Sequence, residues 1–311
     1  MVGKEMDVII PVYRPGRELF TLLDALEGQT LRPRQILLMN TERKYFEELT
    51  AGTDFEKKYP NVQVYHLSKR EFDHGGTRRR GVEHSQAEIF AFMTQDAVPA
   101  DERLLEELAG ALEEGVATAY ARQLPGPGSS LYERISRQFN YPDRSRVKRA
   151  ADLEELGIKT FFCSNVCAAY RRDVYQELGG FLPRAIFNED MIYAAGAVRA
   201  GWGVAYAARA RVIHSHSYTN LQQLRRNFDL GVSQADHPEV FGAVASEAEG
   251  KKMIQEAFRY LKKKKLLYKF PGFGLQCCFK YAGYLLGKNY RRLPRGWILG
   301  LTSNKEYWLQ G

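Results

Sequence analysis

Three short strand-like runs near the amino terminus, separated by helical segments, leave this chain few folds to choose from. Asp7–Tyr13, Gln35–Met39 and Val62–Leu67 are each of strand length and carry most of the local Val, Ile and Leu. Between the first two, Leu19, Leu22, Leu23 and Leu26 recur at helical spacing, and Gly28 closes the stripe. Between the second and third, the polar segment Tyr45–Lys58 reads as another helix. Strands that alternate with helices become parallel neighbours through right-handed crossovers, so the chain opens as a doubly wound α/β sheet. Ligands collect at the carboxyl ends of such strands. A fourth run, Ile89–Met93, continues into Thr94-Gln95-Asp96-Ala97-Val98-Pro99, which sets Asp96 at the carboxyl end of a central strand. An N-cap or turn aspartate is the competing reading at such a position.

Before that run, Phe72-Asp73-His74-Gly75-Gly76-Thr77-Arg78-Arg79-Arg80 leads into a helix. Paired glycines ahead of a basic helix start allow close backbone approach to an anion, with helix amides and Arg side chains as donors. A plain Gly-Gly turn followed by a solvated arginine face fits the same letters. Further on, Val116–Gln123 reads as a strand ended by Pro125-Gly126-Pro127-Gly128, and that loop with Ser136–Glu155 as an irregular, partly ordered excursion. Lys159–Tyr170 is a strand-like run carrying Ser164-Asn165. Glu189-Asp190 opens a helix that ends near Gly201, and Val204–Tyr206 and Ala210–Ile213 are strand material leading to His214-Ser215-His216. An aspartate, a carboxylate pair and a His-x-His, each at an element end, suit a divalent cation holding a diphosphate beside a general base. Taken singly, acids at a helix start satisfy the helix dipole and a lone histidine is an ordinary structural residue.

The net charge of +8 is unevenly placed. Residues 251–311 hold 14 Lys/Arg against Glu256 and Glu306, whereas the preceding 250 residues hold 31 Lys/Arg against 35 acids. A basic tail on an acidic body points to an acidic partner surface contacted by the tail. Its lysines, Lys262 to Lys265 above all, are interleaved with Phe, Tyr and Leu, as in a helix lying in a membrane interface. Packing of an amphipathic helix on the body or on a second subunit is the alternative. The acidic body gives no support to nucleic-acid binding. Cys163, Cys167, Cys277 and Cys278 show no metal-binding spacing and read as reduced thiols in a cytosolic setting. The first residues enter a strand without room for a signal peptide, and no uncharged apolar run reaches the roughly 18 residues of a membrane span.

Over about residues 5–235 the sequence resembles inverting, family-2-type glycosyltransferases of the GT-A fold, most nearly the bacterial rhamnosyltransferases that use dTDP-L-rhamnose. The resemblance rests on Val8–Tyr13, Phe72–Arg78, Met93–Ala97, Phe187–Asp190 and Val212–His216, five segments in the right order. It implies a mixed sheet flanked by helices at 1–235, followed by a basic helical region at 236–311. It also implies that Pro11, Val12, Tyr13 and Asn40 line the nucleobase pocket. His74, Gly75, Gly76, Arg78, Gln95 and Asp96 would approach the rest of the donor, with Arg78 near its diphosphate. Asp190 would be the catalytic base beside Glu189, and Asp96, His214 and His216 would hold Mg²⁺ or Mn²⁺. Two departures stand out: Asn40 replaces the usual base-reading aspartate, and Thr94 replaces the first aspartate of Asp-x-Asp. Gln222-Gln223-Leu224-Arg225-Arg226-Asn227 lacks the tryptophan of processive relatives, which implies addition of one or a few sugars.

The implied reaction moves a sugar to a polyprenyl-diphosphate-linked saccharide, by a peripheral enzyme on the inner face of the cell membrane that can be a homo-oligomer. Transfer of another sugar from a UDP or dTDP donor, and a catalytically silent scaffold subunit, are the alternatives.

Overall fold

The computed structural model describes residues 5–216, 218–242 and 247–309. The strands are β1 (Met6–Tyr13), β2 (Gln35–Thr41), β3 (Val62–Leu67), β4 (Ile89–Met93), β5 (Val98–Pro99), β6 (Val116–Leu124), β7 (Arg146–Lys148), β8 (Cys167–Arg171) and β9 (Gly203–Ile213). They form one mixed sheet in the order β3-β2-β1-β4-β8-β6-β9-β5, with β7 added to β9. The four strands β3, β2, β1 and β4 are parallel, as the opening pattern requires. Strand β8 then enters antiparallel between β4 and β6.

Apolar cores cover both faces of the sheet. In β1, Val8 and Ile10 pack with Leu19, Leu22, Leu23 and Leu26 of α1 (Glu18–Glu27), while Ile9 faces Phe90, Phe92 and Tyr170 on the other side. A strand buried on both faces reads as a continuous apolar run, which is why β1 and β4 stand out in the sequence.

The register of the short strand β5 creates the site. Val98 pairs with Ile213 and Pro99 with Val212. Asp96 lies two residues before Val98 and His214 one residue after Ile213, so this pairing brings the end of β4 to the end of β9.

Three segments differ from expectation. The excursion at Ser136–Glu155 is more ordered: Leu131–Asn140 forms a helix, here α3 after α2 (His74–His84), and Arg146–Lys148 is a strand. The Ser130 hydroxyl caps α3 by accepting from the Glu133 amide at 3.2 Å. The run Lys159–Tyr170 is split into a 3₁₀ turn at Gly157–Phe161 and strand β8, and the two pieces assigned to Val204–Tyr206 and Ala210–Ile213 are one strand carrying a register shift against β6.

The carboxyl-terminal third is helical. After α4 (Glu189–Arg199) come α5 (Asn220–Asp236), α6 (Glu247–Lys263) and α7 (Phe270–Lys288). Helices α5 and α7 meet backbone to backbone. A Cβ at Gly283 would overlap the carbonyl oxygen of Leu224, one at Gly287 that of Phe228, and one at Gly231 that of Tyr284. Gly283→Ala should therefore destabilise the fold. Overpacking against a backbone atom costs about 1–3 kcal/mol, which outweighs the gain of about 1 kcal/mol in helix propensity. A urea midpoint equal to wild type would show that α7 docks more loosely than this. Among the described residues no helix is long and apolar enough to cross a membrane.

Candidate active site

A cleft of about 830 Å³ opens at the carboxyl ends of β4 and β9. On one side lie Asp96, His214 and His216, whose ligand atoms fall within 4.8 Å of one another. His214 Nε2 is 3.5 Å from Asp96 Oδ1, and His216 Nε2 is 3.2 Å from Asp96 Oδ2. His214 Nδ1 is 3.0 Å from Gln123 Oε1. The Gln123 amide nitrogen donates to Tyr141 Oη at 2.5 Å and Ser164 Oγ at 2.9 Å, which turns its oxygen toward the ring. Arg137 Nη2 lies 3.0 Å from the same His214 Nδ1, so Gln123 and Arg137 together hold the ring with Nε2 turned toward Asp96, the nitrogen a metal-binding imidazole would offer. The His216 amide donates to Glu133 of α3 at 3.0 Å and so fixes the loop. Burial, and then the charge of His214, push the His216 imidazole down to about 4, so it is neutral and able to ligate at neutral pH. Burial alone would raise the Asp96 carboxyl, but His214, Thr94 and His216 together hold it well below the usual carboxylate range. Thr94 lines the same cleft. One carboxylate and two imidazoles suit Mn²⁺ better than Mg²⁺, which prefers oxygen ligands.

Across the cleft floor are the two acids at the start of α4. Asn188 precedes them in the left-handed conformation at φ 63°, which asparagine tolerates. Asp190 is half-buried; its Oδ2 accepts from the Asn165 amide at 2.9 Å and its Oδ1 from the Met191 amide at 2.8 Å. Burial, and then the adjacent Glu189 charge, push Asp190 up to about 7. Glu189 is buried and takes the opposite course. Its desolvation is outweighed by Arg78, His74 and the Asn165 side chain, and its pKa lies below the ordinary value. Glu189 Oε1 is 3.1 Å from Arg78 Nη1 and accepts from Asn165 Nδ2 at 3.1 Å. Neighbouring acids driven apart in this way can serve different roles, one as a fixed charge and one as a proton acceptor near neutrality.

Asn165 was the polar interruption in an apolar run, and it orients both acids while Tyr170 Oη donates to its Oδ1 at 2.7 Å. Sequence reasoning gave it no role. The signal was present: a buried strand does not carry Ser-Asn unless those groups have partners.

The remaining expected donor residues are dispersed. His74 and Arg78 line the cleft, and Arg78 Nη1 also donates to the His74 carbonyl at 3.0 Å. Gly75 and Gly76 do not present free helix amides to an anion. Asp73 Oδ1 already accepts from both, at 2.9 and 2.8 Å. A Cβ on Gly75 would sit 2.5 Å from the Leu182 carbonyl and one on Gly76 2.8 Å from that of Pro183, so these glycines accommodate a neighbouring loop. Gln95 joins the tips of β1 and β4, accepting from the Tyr13 amide at 2.8 Å and donating to its carbonyl at 3.0 Å. Val12 pairs in register with Asn40, beside Pro11 and Tyr13 at the ends of β1 and β2, away from the residues that line the main cleft. Asn40 is fully buried; its Nδ2 is 2.9 Å from His66 Nδ1 and its Oδ1 has no hydrogen-bond partner among the described residues. Arg226 of α5, noted in sequence only within an incomplete motif, stacks on Tyr218 at 4.8 Å and lines the cleft. Gln276 and Lys280 of α7 also line it, so the carboxyl-terminal region supplies part of one wall.

Comparison with known proteins agrees with this architecture. The model of "Glycosyl transferase family 2" matches residues 7–179. The chain is 35% identical over 309 residues to the O-antigen chain rhamnosyltransferase RfbN of Salmonella typhimurium, covering 98% of this chain and 96% of the relative. It is 34% identical over 307 residues to the O-antigen chain rhamnosyltransferase WbaN of Salmonella anatum, covering 97% and 95%. Among solved structures, the mannosyltransferase PcManGT of Pyrobaculum calidifontis, in complex with GDP-Man and Mn²⁺, superimposes with a TM-score of 0.53 at 15% identity, covering 98% of this chain and 85% of that one. S. aureus TarS 1–349 with UDP-GlcNAc gives 0.54 at 13% identity, covering 93% and 92%. At such identities these structures speak to the fold alone. The chain belongs to glycosyl transferase family 2 and is a glycosyltransferase of the GT-A fold.

Proposed function

We propose that the protein is an inverting rhamnosyltransferase that moves L-rhamnose from dTDP-L-rhamnose to a hydroxyl of a polyprenyl-diphosphate-linked saccharide. The observation that carries this reading is one cleft holding both a carboxylate poised near neutrality and an Asp-His-His cluster. Asp190 takes the proton of the acceptor hydroxyl. The acceptor oxygen bonds to the anomeric carbon as the bond from that carbon to the nucleoside diphosphate breaks on the opposite face, which inverts its configuration. Asp96, His214 and His216 fit a divalent cation, Mn²⁺ best, and when bound it neutralises charge on the leaving diphosphate. Glu189 fixes Arg78, and through it the floor of the cleft. Tyr13, exposed at the tip of β1, and Pro11 beside it hold the nucleobase, while Val12 and Asn40 are buried beneath them and support that strand end without reaching the ligand. The rhamnosyltransferase names of the two Salmonella relatives support the donor sugar.

The test is a thermal-shift panel of dTDP-rhamnose, dTDP-glucose, UDP-glucose and GDP-mannose, each with and without Mn²⁺. A ligand that binds only the native state raises the melting temperature by mass action. The expected result is a Mn²⁺-dependent shift with dTDP-rhamnose. A shift confined to another sugar would move the donor, and none at all would favour a silent scaffold.

We also propose attachment to the inner face of the membrane. Leu275, Tyr281, Leu285 and Trp297 are exposed on the same carboxyl-terminal region as Lys262 to Lys265, a pairing that suits an anionic lipid surface. Sedimentation with phosphatidylglycerol vesicles should capture the protein at low salt and release much of it at high salt. Failure to sediment at low salt would remove the membrane from the proposal and leave a second copy of the chain as the partner for this face.

A further inference from the structure

Helix α7 has two faces of opposite character. Outward, Leu275, Cys278, Tyr281 and Leu285 form one exposed stripe at intervals of three or four residues. Inward, Gln276 and Lys280, one turn apart, enter the cleft. Lys280 is half-buried, and desolvation lowers its pKa. Among the described residues it has neither a hydrogen bond nor an ion pair. Its charged neighbours are Arg137 and Glu133 of α3. Glu133 is engaged elsewhere, accepting from the His216 amide at 3.0 Å and facing Arg137 at 3.8 Å. A partly dried ammonium beside a guanidinium is costly unless an anion completes the group.

An α-helix with its side chains is about 10–12 Å across. Lys280 therefore stands roughly one helix diameter from the apolar stripe, the height of a headgroup above the acyl region on which that stripe would rest. From the pairing of these two faces we infer that Lys280, with Gln276 beside it, binds the diphosphate of the prenyl-linked acceptor. The inference rests on the lipid-linked acceptor proposed above. Lys280 is then a positioning residue: it seats the anionic head while the prenyl tail remains in the bilayer, and the saccharide extends toward Asp190.

The test fills the donor site with dTDP and Mn²⁺ and titrates farnesyl diphosphate by calorimetry, with farnesol as the uncharged control. Wild type should bind farnesyl diphosphate and not farnesol. Lys280→Met should weaken that binding at least tenfold, Lys280→Arg should stay within about threefold, and neither should change the affinity for dTDP. The melting temperature of Lys280→Met should equal or exceed that of wild type, because a desolvated charge is removed. The inference is overturned if wild type fails to bind farnesyl diphosphate, if Lys280→Met binds it as well as wild type, or if the loss falls on dTDP instead. A wild type that fails to bind dTDP would overturn the functional reading itself, an outcome separate from all of these.

Discussion

Asp190→Asn is expected to lower kcat by about 10²–10⁴, the range a general base contributes, while the affinity for dTDP-rhamnose changes less than about twofold. The substitution keeps size and removes the proton-accepting charge. It also disturbs a second feature. Asp190 accepts two backbone N–H groups, from Asn165 and Met191, and an asparagine can accept from one of them only. A loss of about 1–3 kcal/mol in stability should accompany the kinetic loss, and donor affinity distinguishes that local cost from collapse of the cleft. Equal losses in kcat and donor binding would sink the base assignment. The pH profile follows from the same residue. The base works deprotonated, so kcat/KM should fall about tenfold per pH unit below about 7, where Asp190 takes up its proton. The sign is opposite for stability. A carboxyl whose folded-state pKa is raised contributes stability at low pH that is lost as the pH rises through about 7. Activity should rise with pH across the window in which this contribution to stability declines.

Asp96→Asn should lower kcat by about 10²–10³, a loss typical of removing one well-placed electrostatic group, and should abolish the Mn²⁺-dependent part of the donor thermal shift. Thr94 stands where a second acid would share the load, so Asp96 is the only carboxylate in the cluster with His214 and His216. The two imidazoles remain in the variant, but without the anion they bind a divalent cation weakly at the expected geometry. His214→Ala should give a similar kinetic loss. Retention of full Mn²⁺ dependence by Asp96→Asn would place the cation elsewhere in the cleft.

The parallel half of the sheet was legible because β1 and β4 are buried on both faces, so their sequences are apolar throughout. Asp96 was legible for the same reason: a buried run ends abruptly at a polar residue. Its union with His214 and His216 was not, since it depends on the two-residue strand Val98–Pro99 pairing with β9. Such a strand has no periodicity to detect. Helix α3 was hidden by its polarity, although Ser130-x-x-Glu133 is a capping signal that could have revealed it. The split of Lys159–Tyr170 is hidden in the sequence because Ile158, Phe161 and Cys163 before the strand are buried in the same core as Ala168 and Tyr170 within it, so the apolar run is continuous. For the Gly75-Gly76 pair the sequence carried two readings, and the decisive fact is Asp73, whose carboxylate occupies the amides an anion would need. Gly283-x-x-x-Gly287, read in sequence as part of an interfacial helix, is also the spacing of close helix packing, and α7 is both docked and exposed.

The joint between α5 and α7 has a consequence for biosynthesis. A chain leaving the ribosome has released Asp96, Asp190, His214 and His216 about sixty residues before Gln276 and Lys280 appear. Until α7 has followed and locked its glycines onto α5, the cleft has no wall on that side. Nascent or carboxyl-terminally clipped chains thus carry the acids and histidines of the site without the enclosure that surrounds them in the finished molecule. The dense backbone contact at Gly231, Gly283 and Gly287 makes the emergence and docking of α7 the step that closes the cleft.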